Sequence, residues 1–334
     1  FPEIQLADFG SLSVSRPVVE VTDADVARLV DNLRKAKRTV EKVARAAQVG
    51  DVVVVDFDGK LDGESFAGGK GDSVEIEVGS GQFLTDLEDA LIAHEAGESF
   101  ETEVKFPADY RNPSLAGKST IFAVTIKEVR EPKLPEIDAE FLKLHGVEES
   151  AGAAGLDAKC RGALEGERDK AVRAKIKREL MDQLLAANPI DVPASQVAEE
   201  TSRLRDDTAQ RMGAGRNLKM KPEQLQAMLP AEMFEGAAKR RVALGLLIGE
   251  VIKKKGIELD TARVDRQLDE IAVDYEQPEQ VHAYYKSNPQ LMQSLRMVAL
   301  EEQVVDALLA EAKVTDEPMP LEALLKSQNA TPTV

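Results

Sequence analysis

The sequence predicts an α+β chain, a small β-rich body followed by a long all-helical region. Three observations carry that prediction. Between Gly50 and Val129 the apolar residues form β-branched runs and alternations (VVVVDFDG, VEIEV, IFAVTIKEV) broken by Gly and Asp. Such runs make strands joined by turns, because branched side chains fit a pleated surface and Gly permits positive φ. From Asp138 onward the apolar spacing turns helical and stays so, punctuated by Pro and Gly. Hydrophobic residues make up 43% and charged residues 31% of 334 residues, enough to fold into two or three well-solvated domains. Aromatics are only 4% and Trp is absent, so the core rests on Leu, Val, Ile, Ala and Met.

Taken in order, Phe1–Glu20 alternates around Leu12, Val14 and Val18, with Pro2 and Pro17, and reads as one or two edge strands. Thr22 with Asp25 opens a helix whose face runs Val26, Leu29, Val30, Leu33, Ala36, Val40 and Val43, ending before Gly50. Inside the β-rich block, Thr85–His94 carries one short helical signature and Pro107–Gly117 a long loop. Arg130–Asp138, with two prolines, reads as an extended linker. Helices are then expected over Leu164–Ala187, from Pro193 to Met212 before Gly213-Ala214-Gly215, and from Pro230 to Gly256. Others follow from Asp260 to about Tyr275, from Pro278, over Pro289–Lys313 and over Glu317–Gln328, leaving Thr331–Val334 disordered. Gly245 and Gly249 stand four apart and are expected to allow close helix packing.

Several function classes drop out. The net charge is −17, and Gly50–Val129 holds 17 acidic against 6 basic residues, which argues against nucleic-acid binding. Cys160 is the only cysteine, so no internal disulfide forms; a reducing, cytoplasmic setting fits, and the residue reads as a bystander. His94, His145 and His282 lack metal-ligand spacing, and no metal or cofactor is expected. The longest apolar run, Val242–Gly249, is far short of the ~20 residues a membrane span needs, so no membrane role is expected. No P-loop, nucleophile elbow or dinucleotide fingerprint occurs, and Glu88–Asp89 reads as an ordinary solvated acidic pair. The chain opens on Phe1, which reads as a fragment of a longer protein.

What remains is a set of apolar and aromatic residues in the β-rich block. Asp56-Phe57-Asp58-Gly59, Asp62-Gly63-Glu64-Ser65-Phe66, the GSGQFL turn into LEDAL, His94-Glu95-Ala96-Gly97-Glu98, Phe106-Pro107, Tyr110 and Phe122-Ala123-Val124 occur in that order. In them the block resembles the FKBP-type peptidyl-prolyl isomerase domain. The helical region, through LPEIDAEFLKLHGVEE, AANPIDVPASQV, FEGAAKRRVALGLLIGEVIK and VALEEQVVDALLAEAKV, is similar to the trigger factor family of bacterial chaperones. That family's ribosome-docking signature, of the form GFRxGKxP, is absent. The resemblance implies an FKBP-like antiparallel sheet with a short helix, then an all-α domain with helical arms. Its division is 1–48 (the end of an N-terminal domain and a connecting helix), 49–130 (isomerase), 131–140 (linker), 141–328 (chaperone) and 329–334 (disordered tail). Partners would be unfolded or nascent polypeptides, with the ribosome expected for the parent protein but not for this chain.

The isomerase pocket positions implied by the resemblance are Phe57, Phe66, Val74, Phe83, Leu84, Leu87, Tyr110 and Phe122. Tyr110 would offer its hydroxyl to the substrate carbonyl, and Phe66 and Phe122 would wall the proline ring. The chain departs from the family where Leu84-Thr85-Asp86-Leu87 replaces Ile-Pro-Gly and an aromatic, and Val74 stands where an aromatic is common. Leu87 as floor and a charge at Asp86 imply a less aromatic wall and weaker turnover.

All eight methionines lie between Met181 and Met319. Met is unbranched and polarizable, which suits surfaces that bind many partners and also suits packing between helices. The candidate client-binding residues are Met181, Leu184, Leu185, Met212, Met228, Leu229, Met233 and Phe234, with Leu321, Leu324 and Leu325 near the end. A second reading is a stand-alone isomerase whose helical half is scaffold or dimer interface.

Overall fold

The computed structural model describes residues 4–61, 63–110, 112–216, 228–273, 275 and 277–329, with the side chains of 67, 213–216 and 329 left undescribed. The expected tail over Thr331–Val334 lies outside the described residues. The chain forms two compact units, Thr22–Ala163 and the combination of Phe1–Val21 with Leu164–Val334. This places the first 21 residues with the helical half, apart from the helix they were expected to lead into. The reason is β1 (Ser13–Val18), whose partner strand lies near the other end of the chain.

In the unit Thr22–Ala163, α1 (Asp23–Ala36) opens on a reciprocal cap. The Asp25 N–H donates to Thr22 Oγ1 at 3.2 Å and the Thr22 N–H to the Asp25 carboxylate at 3.0 Å. The helix stops at Ala36, short of the expected Gly50. Thr39–Val43 is instead strand β2, and the three-residue spacing of Val40 and Val43 that looked helical belongs to an edge strand. β3 (Val52–Leu61), β4 (Glu64–Glu77), α2 (Thr85–Ala90), β5 (Ser99–Lys105) and β6 (Ser119–Lys133) follow.

The sheet order is β2-β6-β3-β4 with every described pair antiparallel. β5 pairs with residues 119–125 of β6 and β2 with residues 129–133, end to end along one edge of it. β6 alternates exposed and buried along Ser119–Glu128, sending Phe122, Val124 and Ile126 into a core with Val53, Val55, Ile76, Leu87, Leu91 and Val104. The expected linker is a strand at its start, since β6 runs on to Lys133, and residues 134–138 are irregular up to α3 (Ala139–Leu144), where Asp138 Oδ1 accepts the Phe141 N–H at 2.9 Å.

The second half begins within α4 (Gly152–Ala187) and continues through α5 (Ala194–Arg216) and α6 (Glu232–Lys255). α7 (Thr261–Ala272), α8 (Pro278–Ser287), α9 (Pro289–Leu309), strand β7 (Lys313–Pro318) and α10 (Leu321–Asn329) complete it. α5 continues through Gly213-Ala214-Gly215, which does not break it. α9 ends earlier than expected because Lys313–Pro318 pairs in parallel with β1. Ile176, Leu180 and Leu184 of α4 pack with Leu247 and Val251 of α6, Val304 and Leu308 of α9, and Phe9, Leu12 and Val14. Asp306 of α9 binds Arg173 of α4 and Arg263 of α7, at 2.7 Å each. Burial works against the Asp306 charge, but the two guanidinium hydrogen bonds outweigh it and lower its pKa. A Cβ at Gly245 or Gly249 would meet nothing within 4 Å, so the two glycines are not a close-packing contact. Among the described residues no helix is long and apolar enough to cross a membrane, and no cluster of His, Cys, Asp and Glu has metal-binding geometry.

Candidate functional site

One cleft of about 590 Å³ opens on the sheet unit, within the size range of small-ligand sites. Its lining includes all seven of Phe57, Phe66, Phe83, Leu84, Leu87, Tyr110 and Phe122. They come from β3, β4, the turn into α2, α2 itself, the loop after β5, and β6. Val74 does not line it; it is half-buried and packed against the same core. Phe106 and Leu115, each 3% exposed, also line it, with Pro107, Gln82 and Asn112. Phe106-Pro107 stood in the sequence as a matching pair but was not assigned to the site. Leu115 is a lone apolar residue in the loop, a signal that the loop folds back onto a core.

The aromatic rings pack edge to face. Phe66 stands against Phe122 with centroids 6.2 Å apart at 78°, and against Phe106 at 6.1 Å and 81°. Phe57 meets Phe122 at 5.7 Å. Such pairs hold rings at fixed angles and add about 0.5–1.5 kcal/mol each beyond burial. Tyr110 is fixed at both ends. Its backbone N–H donates to the Pro107 carbonyl at 3.1 Å, and its ring lies edge-on to Phe106 at 4.7 Å. It is 38% exposed, and its hydroxyl makes no hydrogen bond to the described residues.

Glu88 was misread. It is 1% exposed, and its carboxylate accepts the backbone N–H groups of Phe83 at 2.9 Å and Gly81 at 3.0 Å, with the Ser80 hydroxyl at 3.3 Å. Burial pushes its pKa up, but these bonds and one from the Gly79 N–H together hold the carboxyl below its usual range. The turn they clamp has φ of +82° at Gly79 and +69° at Gly81, which explains glycine at both. Glu88 thus positions Phe83 and Leu84. Asp86 also has a structural partner, accepting the Lys105 N–H at 2.9 Å and so tying α2 to β5.

Among the described residues, those lining the cleft carry no carboxylate, amine, thiol or imidazole. Cys160 is buried, and burial raises its thiol pKa, so it is no nucleophile. The described lining therefore offers apolar walls, two amide side chains and the Tyr110 hydroxyl. This equips it to enclose a small apolar ring and hold one carbonyl.

The client-binding candidates divide. Met228 and Met233 are 63% and 70% exposed. Leu185, Met212, Phe234 and Leu325 are half-buried. Met181, Leu184, Leu229, Leu321 and Leu324 are buried, and Met181 and Leu184 belong to the main helical core. These five are corrected from surface to interior: helical spacing marks an apolar face without saying what covers it. Exposed apolar residues of this unit that sequence reasoning missed include Val273, Tyr275, Tyr284, Met297 and Val298.

The family profile described as FKBP-type peptidyl-prolyl cis-trans isomerase matches residues 43–127, which hold every residue lining the cleft. The profile described as bacterial trigger factor protein C-terminus matches residues 153–310. The trigger factor of Ectopseudomonas mendocina is 43% identical over 99% of this chain and 74% of its own length. That of Pseudomonas syringae pv. syringae is 44% identical over the same shares. That of Thioalkalivibrio sulfidiphilus is 41% identical over 97% and 72%. A solved structure described as "Promiscuous Substrate Recognition in Folding and Assembly Activities of the Trigger Factor Chaperone" matches at 19% identity and a TM-score of 0.43, over 93% of this chain and 73% of that one. The chain belongs to the trigger factor family of chaperones, and it carries that family's FKBP-type peptidyl-prolyl isomerase domain.

Proposed function

We propose that the aromatic cleft is where the isomerase domain binds an X-Pro segment and lowers its rotation barrier. The supporting observation is that seven residues far apart in sequence line one cleft, whose described lining carries no charged side chain. Resonance gives the peptide C–N bond a rotation barrier of roughly 18–20 kcal/mol. The planar amide is more charge-separated than the twisted one. Apolar walls therefore penalise the planar ground state more than the transition state, and only such a difference accelerates the reaction. Phe66 and Phe122 flank the proline ring, Leu87 forms the floor, and the Tyr110 hydroxyl donates to the substrate carbonyl. No nucleophile is needed. A differential effect of about 3 kcal/mol corresponds to roughly 150-fold in rate.

The helical half binds unfolded or nascent chains through several weak apolar patches, with Met228 and Met233 the most open of the assigned residues. Affinity comes from several contacts made at once, and Met adapts to varied sequences. In this reading residues 49–130 are the isomerase and 141–328 the client-binding part, the first 21 residues serving the latter. We place its work in the cytoplasm and assign ribosome contact to none of its residues. The stand-alone isomerase reading finds no support, since the trigger factor C-terminal profile spans most of the helical half.

The test is isomerisation of a short Phe-Pro peptide by the native chain, Tyr110→Phe and Phe122→Ala. Both variants lose activity. Activity unaffected by either change refutes the cleft as the site.

A further inference from the structure

Three glycines near the cleft are not turn glycines. Gly59, Gly69 and Gly71 lie in β3 and β4, and none has the positive φ that Gly63 (+88°) and Gly68 (+87°) show in the same stretch. Their backbone conformation suits any residue. What they lack is room. A Cβ on Gly59 would lie 2.7 Å from Phe122 Cζ and 2.8 Å from its Cε1. On Gly71 it would lie 2.7 Å from Phe57 Cζ and 2.7 Å from Val74 Cγ2. On Gly69 it would lie 2.9 Å from Phe66 Cζ and 2.9 Å from the Gly59 carbonyl oxygen. A Cβ at Gly63 or Gly68 would meet nothing within 4 Å.

The strand register explains the contacts. Phe57 of β3 stands directly opposite Gly71 of β4, and Phe122 of β6 directly opposite Gly59 of β3. These are cross-strand aromatic–glycine pairs, in which a ring covers the bare Cα of the glycine facing it. A strand side chain ordinarily stands nearly perpendicular to its sheet. Here the ring tips of Phe57 and Phe122 come down onto the neighbouring strand, and that of Phe66 onto Gly69 of its own strand. All three rings line the cleft. A Cβ beneath any of them would lift its tip into the space the cleft encloses.

We propose that Gly59 and Gly71 are positioning residues for the isomerase. They are seats without side chains, and they fix the tilt of Phe122 and Phe57 and so the depth available to the substrate's proline ring. This rests on the cleft being the isomerase site. It adds that the aromatic residues suffice only over glycine. The same rings on a sheet with Ala at these positions would fill the cleft they now line.

Two double-mutant cycles in the full chain test this: Gly59→Ala with Phe122→Leu, and Gly71→Ala with Phe57→Leu, the latter with Val74→Ala present throughout because a Cβ on Gly71 would also lie 2.7 Å from Val74 Cγ2. Leu lacks the ring-tip atoms that a new Cβ would strike. The readouts are kcat/KM on a short Phe-Pro peptide and the thermal midpoint of the sheet unit. Each glycine-to-Ala change lowers kcat/KM about tenfold or more with the facing Phe in place, and less than about twofold with Leu there, since the two changes then act on one contact. Should an Ala variant fail to fold, its Leu partner restores folding. Equal losses in both backgrounds, no loss in either, or failure to fold in both overturn the inference, because the glycine then acts through something other than the ring. Phe57→Leu and Phe122→Leu alone serve the cleft assignment. If both leave kcat/KM unchanged, that assignment fails and the seats with it. If they lower it while the cycles stay additive, only the seats fail.

Discussion

Six of the ten phenylalanines lie from Phe57 to Phe122 and no methionine does, whereas all eight methionines lie from Met181 onward. The two regions bury and expose apolar surface in opposite ways. In the sheet unit, the aromatic rings are locked at edge-to-face and tilted angles around one cleft, backed by a continuous core. In the helical unit the described core is divided into several separate clusters, and Met228, Met233, Tyr284 and Met297 stand out to solvent. Distinguishing a twisted amide from a planar one needs a fixed shape. Holding many different unfolded segments needs adaptable side chains at scattered places. One chain contains both solutions, separated by residue type as well as by position.

The sharpest way to break that contrast is at Phe122, 3% exposed and in contact with two other cleft rings. Phe122→Ala costs the sheet unit about 3–5 kcal/mol of stability and abolishes isomerisation. Urea unfolding checks the first effect and the peptide assay the second. A loss below about 1 kcal/mol would mean that the cleft is not rigidly built.

Next in size is Glu88, since a fixed cleft needs a fixed turn. Glu88→Gln places an amide group among backbone donors and costs about 2 kcal/mol. The native carboxyl has a lowered folded pKa. Its stabilising contribution is therefore complete above the unfolded value of about 4.3 and is lost as pH falls through the lower folded value. Thermal unfolding between neutral pH and that acid window shows a steeper loss for the native chain than for Glu88→Gln. Identical acid profiles would remove Glu88 from the account.

Tyr110→Phe removes one hydrogen bond to the substrate and leaves the ring that packs on Phe106. A lost bond of about 0.5–1.5 kcal/mol lowers kcat/KM roughly two- to tenfold with no change in stability. The smallest effect belongs to the adaptable side. Met228→Ser combined with Met233→Ser shifts stability by less than about 0.5 kcal/mol, as exposed positions do. It weakens suppression of client aggregation by about twofold, since several patches share the load. Full suppression by the double variant would move client binding to other residues, with Val273, Tyr284 and Met297 next to test.

The sheet unit was legible in the sequence where its chemistry is local. Alternation in Ile121–Val129 and the β-branched run Val52–Val55 announce strands whichever partners they find. β7 was not legible, because Lys313–Pro318 is mostly polar and every residue in it is exposed. Only its pairing with β1, about three hundred residues earlier in the chain, makes it a strand. β2 was hidden by Val40 and Val43, whose spacing fits a helix equally well. Among site residues, the seven cleft positions came from resemblance, and their convergence could not be read from spacing. Glu88 was invisible as a clamp because a buried carboxylate looks like a solvated one until its donors are in place. Met181, Leu184 and Leu324 were legible as apolar and illegible as buried, since packing between helices is settled by elements distant in sequence.

The measurement that tests the account most directly puts both activities on one variant. The full chain carrying Tyr110→Phe and Phe122→Leu is assayed for isomerisation of a short Phe-Pro peptide and for suppression of aggregation of an unfolded client free of X-Pro bonds. The account predicts isomerisation reduced about tenfold or more, with suppression unchanged. Unchanged isomerisation, or isomerisation and suppression falling together, would contradict it.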